Sequence, residues 1–412
     1  MKDNAPQFDL TTQEAIQRPY PLFAALRQQA PVHWNASLKG WLVTRYEDVR
    51  LGLMNRNLSV EKMAGFAARG HGDLQAKIAF LTDIIGGWMV FKDPPNHTRL
   101  RQVLQGAFLP SQIEKLRKKV EVISGDLLDK AVAKQLADGK IDLILDYAFP
   151  LPAIVIGELC GVPAKEAERL KFWADDIGKF VLQGRATPDK YDRSYKALVE
   201  CVEFYRELVR EHRREEKDDL VGLMMKSHGS DEPLSDDEIV STLVLLLFAG
   251  HETTTNLIAN GMLRLIENRD QMHKLRHDPS LIDGAVEEFL RIEGPAAVVV
   301  RIAKNTVKIG NHEVQAGERV FFALNSADHD PELFENPEEL NVERPKSKHM
   351  AFGLGIHTCL GAPLARMEGQ VAFRMLLERF ETIKLIDDVP EWRDELITRG
   401  LKSLPAIIEP CR

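Results

Sequence analysis

The sequence predicts a mostly α-helical protein with a small β part that is segregated from the helices. Apolar residues recur at helical spacing in five stretches, which are residues 111–139, 161–178, 190–217, 235–268 and 361–380. Short strand-like pieces gather in the last third of the chain, namely VVVRIA, VKIG, RVFFAL and PAIIEP. Because these strands do not alternate with helices, we do not expect the parallel sheet of a βαβ fold.

The N-terminal part adds a short helix, a strand and a second helix to this plan. The stretch PYPLFAALRQQAP predicts a helix delimited by prolines, and GWLVTRYEDVRLGL predicts a strand, WLVTR, that leads into a helix. No internal repeat, low-complexity tract or long Gly/Ser linker interrupts the 412 residues. Length alone allows one large domain or several smaller ones.

Residues 235–268 form the best-marked helix of the sequence. Ser235 and Glu238 make an S-x-x-E capping box at its start, and the first half is apolar nearly all round, which predicts a path through the core. The segment AGHETTT breaks this pattern, since a mid-helix Gly costs about 1 kcal/mol relative to Ala. We expect a kink there for a functional reason; the alternative is that Glu252 and its neighbours only face solvent or an ion pair.

The loop FGLGIHTCLG, residues 352–361, combines two glycines, a histidine and a cysteine directly before a predicted helix. Gly353 and Gly355 allow a tight turn and a close approach of the backbone to a flat group. Cys359 lies near the N-terminus of the following helix, where the helix dipole favours a thiolate. A thiolate surrounded by backbone N–H donors is the arrangement that ligates a haem iron.

Three other interpretations of this cysteine remain open on the residues alone. A lone cysteine is usually a small core residue. His349, His357 and Cys359 could begin a zinc site, although two more ligands at suitable spacing are hard to find. A nucleophilic cysteine with a histidine partner is the third alternative.

The spacing F-G-x-G-x-H-x-C-x-G resembles the haem-binding loop of cytochrome P-450 monooxygenases. The positions that carry it are Phe352, Gly353, Gly355, His357, Cys359 and Gly361. The resemblance implies that haem b is the cofactor and that Cys359 is its metal ligand. It also implies a single cytochrome P-450 domain over residues 1–412, with a long distal helix, a cysteine loop before the proximal helix and no fused reductase domain.

Three further stretches match the family in its order along the chain. AGHETT resembles the oxygen-activating segment of the distal helix, with Ala249 beside the haem, Glu252 as the acid and Thr253 as the alcohol. EFLR resembles the E-x-x-R pair and HTRLR the helix that binds the haem propionates. The implied structural residues are Glu288, Arg291 and Arg344, and the implied propionate ligands are His97, Arg101 and Arg301.

Two observations limit these matches. E-x-x-R also occurs at Glu203, Glu207 and Glu211, where it is ordinary charge pairing on a helix surface, so that only position relative to the cysteine loop selects Glu288. The family often has ANRDP before the loop, whereas this chain has ADHDP, with His329 in place of the arginine.

The family also implies which segments contact the substrate. The candidates in this sequence are Ile84, Ile85, Trp88, Phe180, Val181, Leu245, Phe248, Ala249, Ala297, Val298, Val299 and Ile397. None of them carries a charge. We therefore expect a neutral hydrophobic substrate that is held mainly by apolar burial.

Composition and targeting signals restrict the remaining partners. Lys and Arg total 54 against 62 Asp and Glu, a net charge of −8, which argues against a nucleic-acid binder. MKDNAPQFDL has no secretory signal pattern, and IVSTLVLLLFAG is shorter than the about 20 apolar residues of a membrane span. We expect a cytoplasmic monomer without a disulfide framework.

The resemblance implies a monooxygenase that inserts one oxygen atom from O2, with electrons from a ferredoxin or flavodoxin-type donor and its reductase. A basic patch of Lys346, Lys348, Arg366 and Arg99 would dock that donor. The alternative is a peroxide-driven haem-thiolate enzyme or a haem or gas-binding protein. The presence of both Glu252 and Thr253 favours the monooxygenase.

Overall fold

Helices form most of the chain in the computed structural model, and the strands are short, as the sequence predicts. The structure describes residues 9–10, 12–67, 71–182, 189–217, 219–226, 233–345, 348–386 and 390–411. The helices are α1 (Gln13–Gln17), α2 (Pro19–Gln29), α3 (Tyr46–Met54), α4 (Ala64–Ala67), α5 (Asp73–Gly86), α6 (Asn96–Gln105), α7 (Pro110–Ile113), α8 (Arg117–Asp138), α9 (Pro150–Leu159), α10 (Ala167–Val181), α11 (Lys190–Arg214), α12 (Leu220–Lys226), α13 (Asp236–Glu267), α14 (Arg269–His277), α15 (Ile282–Ile292), α16 (Leu324–Ala327) and α17 (Ala362–Arg379). The strands are β1 (Val32–Asn35), β2 (Gly40–Val43), β3 (Leu58–Ser59), β4 (Ile141–Asp142), β5 (Val298–Ala303), β6 (Val307–Ile309), β7 (His312–Val314), β8 (Arg319–Ala323), β9 (Phe380–Leu385) and β10 (Pro405–Pro410).

The described strands form three small sheets. The largest has the order β1-β2-β8-β5-β3, with β2 and β8 parallel and the other neighbours antiparallel. The other two sheets are β4-β10-β9 and β6-β7. All of the strand-like pieces that the sequence singles out are strands here, whereas β1, β3, β4, β7 and β9 were not predicted. β9 begins where α17 ends, so helical periodicity continues up to its first residue and conceals it.

The chain folds into two compact units, each discontinuous in sequence. The first comprises residues 1–59, 117–149 and 253–412, and the second residues 60–116 and 150–252. Every strand named above belongs to the first unit, which confirms the predicted segregation of the β part. Helix α13 contributes its first half to the second unit and its second half to the first. That residues 1–412 form one functional domain stays a prediction.

The largest sheet separates two apolar cores of the first unit. On one face, Val298 and Val300 of β5 pack with Phe321 and residues of α2. On the other face, Val299 packs against a cluster that includes Phe322 and residues of α3. The alternation along β5 therefore places Val299 and Arg301 on one face and Val298 on the opposite one.

Candidate active site

The cysteine loop of the first unit is a tight turn that its own backbone closes. Gly353 and Gly355 have φ values of +67° and +77°, a conformation that side chains other than glycine rarely adopt. The N–H of Gly353 donates to the carbonyl of Met350 at 2.7 Å, and the N–H of Cys359 donates to the carbonyl of Phe352 at 2.9 Å. A Cβ atom at Gly355 would approach the carbonyl oxygen of Leu53 to 3.3 Å. The glycines are thus required by the turn itself, as the sequence predicts.

This turn leaves the thiol of Cys359 accessible. Cys359 is exposed, whereas Cys160 and Cys201 are buried, and burial raises the pKa of Cys160 to about 12. Helix α17 begins three residues after Cys359, with the N–H of Ala365 donating to the carbonyl of Gly361 at 2.9 Å. The interpretation of Cys359 as a core residue is therefore wrong, and a ligand can reach its sulfur.

His349, which precedes the cysteine loop, contacts a carboxylate group. His349 lies 3.0 Å from Glu287 through Nε2. In the described part of the chain, no three His, Cys, Asp or Glu side chains come together in a way that could hold a metal ion. The structure gives the zinc interpretation no support.

Glu288, Arg291 and Arg344 form a buried ion-pair cluster. Arg291 donates to both carboxylate oxygens of Glu288 at 2.7 and 2.8 Å, and Arg344 Nε lies 3.0 Å from each of them. The side chains of Glu288 and Arg291 are 2% and 0% exposed. By contrast, the i,i+3 pair of Glu207 and Arg210 is 47% and 58% exposed. Burial selects the E-x-x-R pair that the sequence favoured only by position.

His329 proves to be a neutral, buried residue. Burial, with help from the charge of Arg291, lowers the pKa of His329 to about 3. Its Nδ1 lies 2.8 Å from the carbonyl oxygen of Asn325, and its ring centre is 4.2 Å from that of Tyr20. Two guanidinium groups donate to the backbone here: Arg27 Nη1 to the carbonyl of Ser326 at 2.9 Å, and Arg291 Nη1 to the carbonyl of Asp328 at 3.0 Å. His329 therefore fills space and donates one hydrogen bond through Nδ1 without supplying a charge.

The distal helix α13 begins as predicted. The N–H of Glu238 donates to Ser235 Oγ at 3.2 Å, and the N–H of Ser235 donates to Glu238 Oε2 at 2.9 Å, which confirms the capping box. The helix continues through AGHETTT as one α-helix. A Cβ atom at Gly250 would come within 3.1 Å of two side-chain atoms of Ile156. Close packing against Ile156 of α9 is therefore one reason for a glycine at this position, and the kink stays a prediction.

The middle of α13 changes abruptly from buried to accessible. All residues from 239 to 247 are buried, Ala249 is exposed, and Phe248, Glu252 and Thr253 are half-buried. A Cβ atom at Gly178 of α10 would lie 3.6 Å from Glu252 Oε2, so Glu252 belongs to the surroundings of α10. Ala249 is thus an accessible small residue in a helix whose preceding residues are buried.

Each unit contributes part of the predicted propionate set. His97 and Arg101 lie one turn apart on α6 of the second unit. His97 is buried. Its burial lowers the pKa of its imidazole, and the charge of Arg101 lowers it further. In the first unit, Arg301 is half-buried on the same face of β5 as Val299.

Some of the predicted pocket residues are half-buried, and others are buried. In the second unit, Ile84, Phe180, Val181 and Phe248 are half-buried, whereas Ile85, Trp88 and Leu245 are buried. Trp88 stacks on Phe248 with ring centres 5.2 Å apart. In the first unit, Val299 and Ile397 are half-buried, but Ala297 and Val298 are buried in an apolar core. The N–H groups of Ala297 and Val298 donate to the carbonyl of Ile397, so these two segments are joined by their backbones. The structure favours Val299 over Val298 as a pocket residue.

Two predicted docking charges are already paired. Arg366 donates to Glu287 at 2.6 and 2.9 Å, and Arg99 forms an ion pair with Glu238. Each of these two arginines therefore shares its charge with a carboxylate, and the basic docking patch stays a prediction. Lys348 is exposed, and Lys346 lies outside the described residues.

Glu368 on α17 is a buried carboxyl group that the sequence analysis overlooked. Burial raises its pKa to about 8, and the hydroxyl group of Thr254 on α13, directly after Thr253, lowers it by a smaller amount. The signal was present in the sequence, because Glu368 falls on the same helical face as Leu364 and Val371, which are both buried. At neutral pH this carboxyl group is predominantly protonated.

Replacing Glu368 with Gln is expected to flatten the pH dependence of stability. Between the ordinary carboxyl pKa, about 4.3, and about 8, the unfolded chain releases this proton while the folded chain keeps it. The free energy of unfolding of the parent protein should therefore fall as pH rises through that window, by a few kcal/mol at about 1.4 kcal/mol per unit. Urea unfolding from pH 5 to 8 measures it. Equal slopes in parent and variant would contradict the assignment.

Each unit, taken by itself, contains a feature that suits a haem-binding protein. The first unit offers an exposed cysteine on a glycine-shaped turn, and the second offers an accessible Ala249 within a packed apolar helix. The sequence model of the cytochrome P-450 family matches residues 75–406.

The chain belongs to the cytochrome P-450 family. It is 35% identical over 399 residues to the polyketide biosynthesis cytochrome P-450 PksS of Bacillus subtilis, which covers 94% of this chain and 95% of that protein. It is 35% identical over 411 residues to the vitamin D(3) 25-hydroxylase of Pseudonocardia autotrophica, with 98% and 97% coverage. The crystal structure of CalO2 superposes with a TM-score of 0.90 at 30% identity, over 98% of this chain and all of that one.

Membership of the family establishes the chemistry. This P-450 is a haem b monooxygenase that inserts one oxygen atom from O2 into a hydrophobic small molecule, with electrons from a separate redox partner. Within the described ranges, the helices include none that is long and apolar enough to span a bilayer.

Proposed function

We propose that Cys359 is the axial ligand of the haem iron in this P-450 and that Glu252 and Thr253 deliver protons during oxygen insertion. The observation that carries the proposal is the exposed thiol of Cys359 on a turn closed by its own backbone. When bound, haem supplies the iron at which O2 is activated. His97, Arg101 and Arg301 are the cations and donors available for its two carboxylates.

Each residue of the distal helix has a separate task in this proposal. Ala249 leaves room for a flat cofactor, which a larger side chain would exclude. The hydroxyl group of Thr253 donates a hydrogen bond at the oxygen-binding position, and the half-buried carboxyl group of Glu252 passes protons inward from solvent. The presence of this acid and alcohol distinguishes a monooxygenase from the alternatives, a peroxide-driven enzyme or a haem or gas-binding protein.

Replacing Thr253 with Ala is expected to keep haem and substrate binding while product formed per electron pair consumed falls severalfold. The reason is that the variant loses proton delivery but keeps every group that holds haem or substrate. A positioned general acid typically contributes about 100-fold or more to the rate of a proton-transfer step. Hydrogen peroxide released per reducing equivalent measures the loss. Thr255, two residues after Thr253 and buried, offers a comparison, since Thr255→Ala should affect folding stability more than coupling. Unchanged coupling in Thr253→Ala would remove the proposed role.

The proposed substrate is a neutral hydrophobic molecule with a ring system. Among the similar proteins, PksS belongs to polyketide biosynthesis and the Pseudonocardia protein hydroxylates vitamin D(3). The half-buried candidates Ile84, Phe180, Phe248, Val299 and Ile397 present only apolar surface. Apolar burial at roughly 25 cal/mol per Å² then supplies most of the affinity, with hydroxylation or epoxidation as the outcome.

Replacing Phe248 with Ala is expected to let larger ligands displace the iron-bound water. Phe248 is half-buried and stacks on Trp88, so its removal opens space on one side of α13. A titration with a size series of neutral polycyclic compounds, followed by the low-to-high-spin change, measures the preference. Leu243→Ala is the matched control, because Leu243 lies on the same helix and is fully buried in the core. An unaltered size preference, or stronger shifts with charged ligands, would contradict the assignment.

The redox partner is proposed to be a ferredoxin or flavodoxin-type protein with its reductase. The protein is acidic overall, with a net charge of −8, so an acidic donor needs a local basic surface. Lys348 remains the described candidate, while Arg366 and Arg99 are paired. We also retain the proposals that residues 1–412 act as one domain and that the protein is a monomer.

A further inference from the structure

We propose that Arg366 is a positioning residue that holds the cysteine loop through the ring of Phe352, and that Glu287 orients Arg366 for this task. The proposal rests on the assignment of Cys359 as the axial ligand. It concerns the first unit alone, and it assigns to Arg366 a role other than docking an electron donor.

The first part of the arrangement is a carboxylate with two donors on it. Glu287 of α15 receives Nε and Nη2 of Arg366 at 2.6 and 2.9 Å, and His349 Nε2 lies 3.0 Å from the same side chain. Burial alone would raise the pKa of Glu287, but these hydrogen bonds outweigh burial and lower it to about 2. Glu287 is thus a permanent anion whose bidentate contact sets the plane of the guanidinium group.

Helix α15 holds this anion in a defined place. The next residue, Glu288, is buried and accepts hydrogen bonds from Arg291 of the same helix and from Arg344. Adjacent residues on a helix point about 100° apart, so α15 directs one carboxylate into the buried cluster and the other towards α17. Helix α15 therefore links Arg366 to the buried cluster of Glu288, Arg291 and Arg344.

The second part is the contact between Arg366 and the loop. The guanidinium carbon of Arg366 lies 4.5 Å from the ring centre of Phe352, within the range of a cation–π interaction. Side chains on a helix tilt towards its N-terminus, and the cysteine loop is the segment that precedes α17. Arg366 can therefore reach back over the loop from a position seven residues after Cys359.

The third part transmits this contact to the sulfur ligand. The carbonyl of Phe352 accepts the N–H of Cys359 at 2.9 Å, so a displacement of Phe352 moves the backbone that carries the thiol. In the series Glu287, Arg366, Phe352 and Cys359, each residue contacts the next one. His349 adds a second link, because it lies three residues before Phe352 and also contacts the carboxylate of Glu287.

The test compares Arg366→Lys with Arg374→Lys in the haem-loaded protein. Arg374 lies on the same helix, pairs with Glu121 and has a side chain 36% exposed, against 37% for Arg366. The protein is reduced with dithionite, which needs no docking partner, and carbon monoxide is added. The rate at which the thiolate-type Soret band converts to the thiol-type band in mild urea is then measured.

Arg366→Lys is expected to accelerate this conversion roughly threefold to tenfold, the range that a partly desolvated cation–π contact allows, whereas Arg374→Lys leaves it unchanged. Lysine keeps the charge but loses the planar bidentate contact. Glu287→Gln should act in the same direction, and it serves as the second variant if Arg366→Lys yields too little folded protein.

A double-mutant cycle separates positioning from a general structural role. In a Phe352→Leu background, Arg366→Lys should have little further effect, because the ring on which it acts is absent. In a Phe352→Tyr background, which keeps the ring, Arg366→Lys should still accelerate the conversion. Equal conversion rates in parent and Arg366→Lys, or the same acceleration with and without the ring, would overturn the proposal. If the parent itself lacks the thiolate-type band, the assignment of Cys359 has failed instead.

Discussion

Replacing Cys359 with His is expected to abolish the strongly red-shifted Soret band of the reduced, carbon monoxide-bound protein. That band arises from electron donation by a thiolate, which imidazole cannot reproduce. The structure supports this ligand because Cys359 is exposed on a fixed turn, while Cys160 and Cys201 are buried. Difference spectra of the parent and the variant measure the change, and monooxygenase activity should disappear with the band.

Cys411 offers the control for this experiment. It is also exposed but lies at the end of β10, away from the glycine turn. Cys411→Ser should retain the band at full amplitude. Survival of the band in Cys359→His, or its loss in Cys411→Ser, would show that the ligand has been assigned to the wrong residue.

The second large effect is expected for Glu288→Ala. This change leaves the guanidinium groups of Arg291 and Arg344 in a buried site without their carboxylate. Removing one partner of a buried ion pair typically costs about 3–5 kcal/mol, a large share of the stability of most domains. Urea unfolding and haem content per chain measure the result, and we expect little haem-loaded protein.

The exposed pair of Glu207 and Arg210 provides the comparison for Glu288. It has the same i,i+3 spacing, but both side chains are largely in solvent. Exposed ion pairs contribute little to stability, so Glu207→Ala should unfold close to the parent. A small loss in Glu288→Ala, similar to that in Glu207→Ala, would mean that the buried cluster does not support the fold.

Local patterns in the sequence determined the features that depend on neighbouring residues. The cysteine loop is one of them, because its turn is closed by bonds between residues 350 and 359 and needs glycine at two of its own positions. The start of α13 is another, since the capping box of Ser235 and Glu238 acts within one helical turn. The predicted strand β5 was correct to the residue for the same reason.

Features that depend on what packs against a residue could not be predicted from local sequence patterns. The side chain of Ile156 packs where a Cβ atom of Gly250 would lie. Glu287, 79 residues away from Arg366 along the chain, pairs with that arginine. Neither partner could be identified by periodicity, because each comes from a distant helix.

Burial was the quantity that only the tertiary structure decided. The E-x-x-R repeats at Glu203, Glu207 and Glu211 look equivalent in sequence to the pair at Glu288. In the structure the pair of Glu288 is buried, whereas that of Glu207 is exposed. Glu368 and His329 are ordinary titratable residues in sequence, yet burial raises the pKa of one to about 8 and lowers that of the other to about 3. The physical reason is that removal from water penalises whichever form carries the charge, and the extent of that removal depends on segments far apart in the chain.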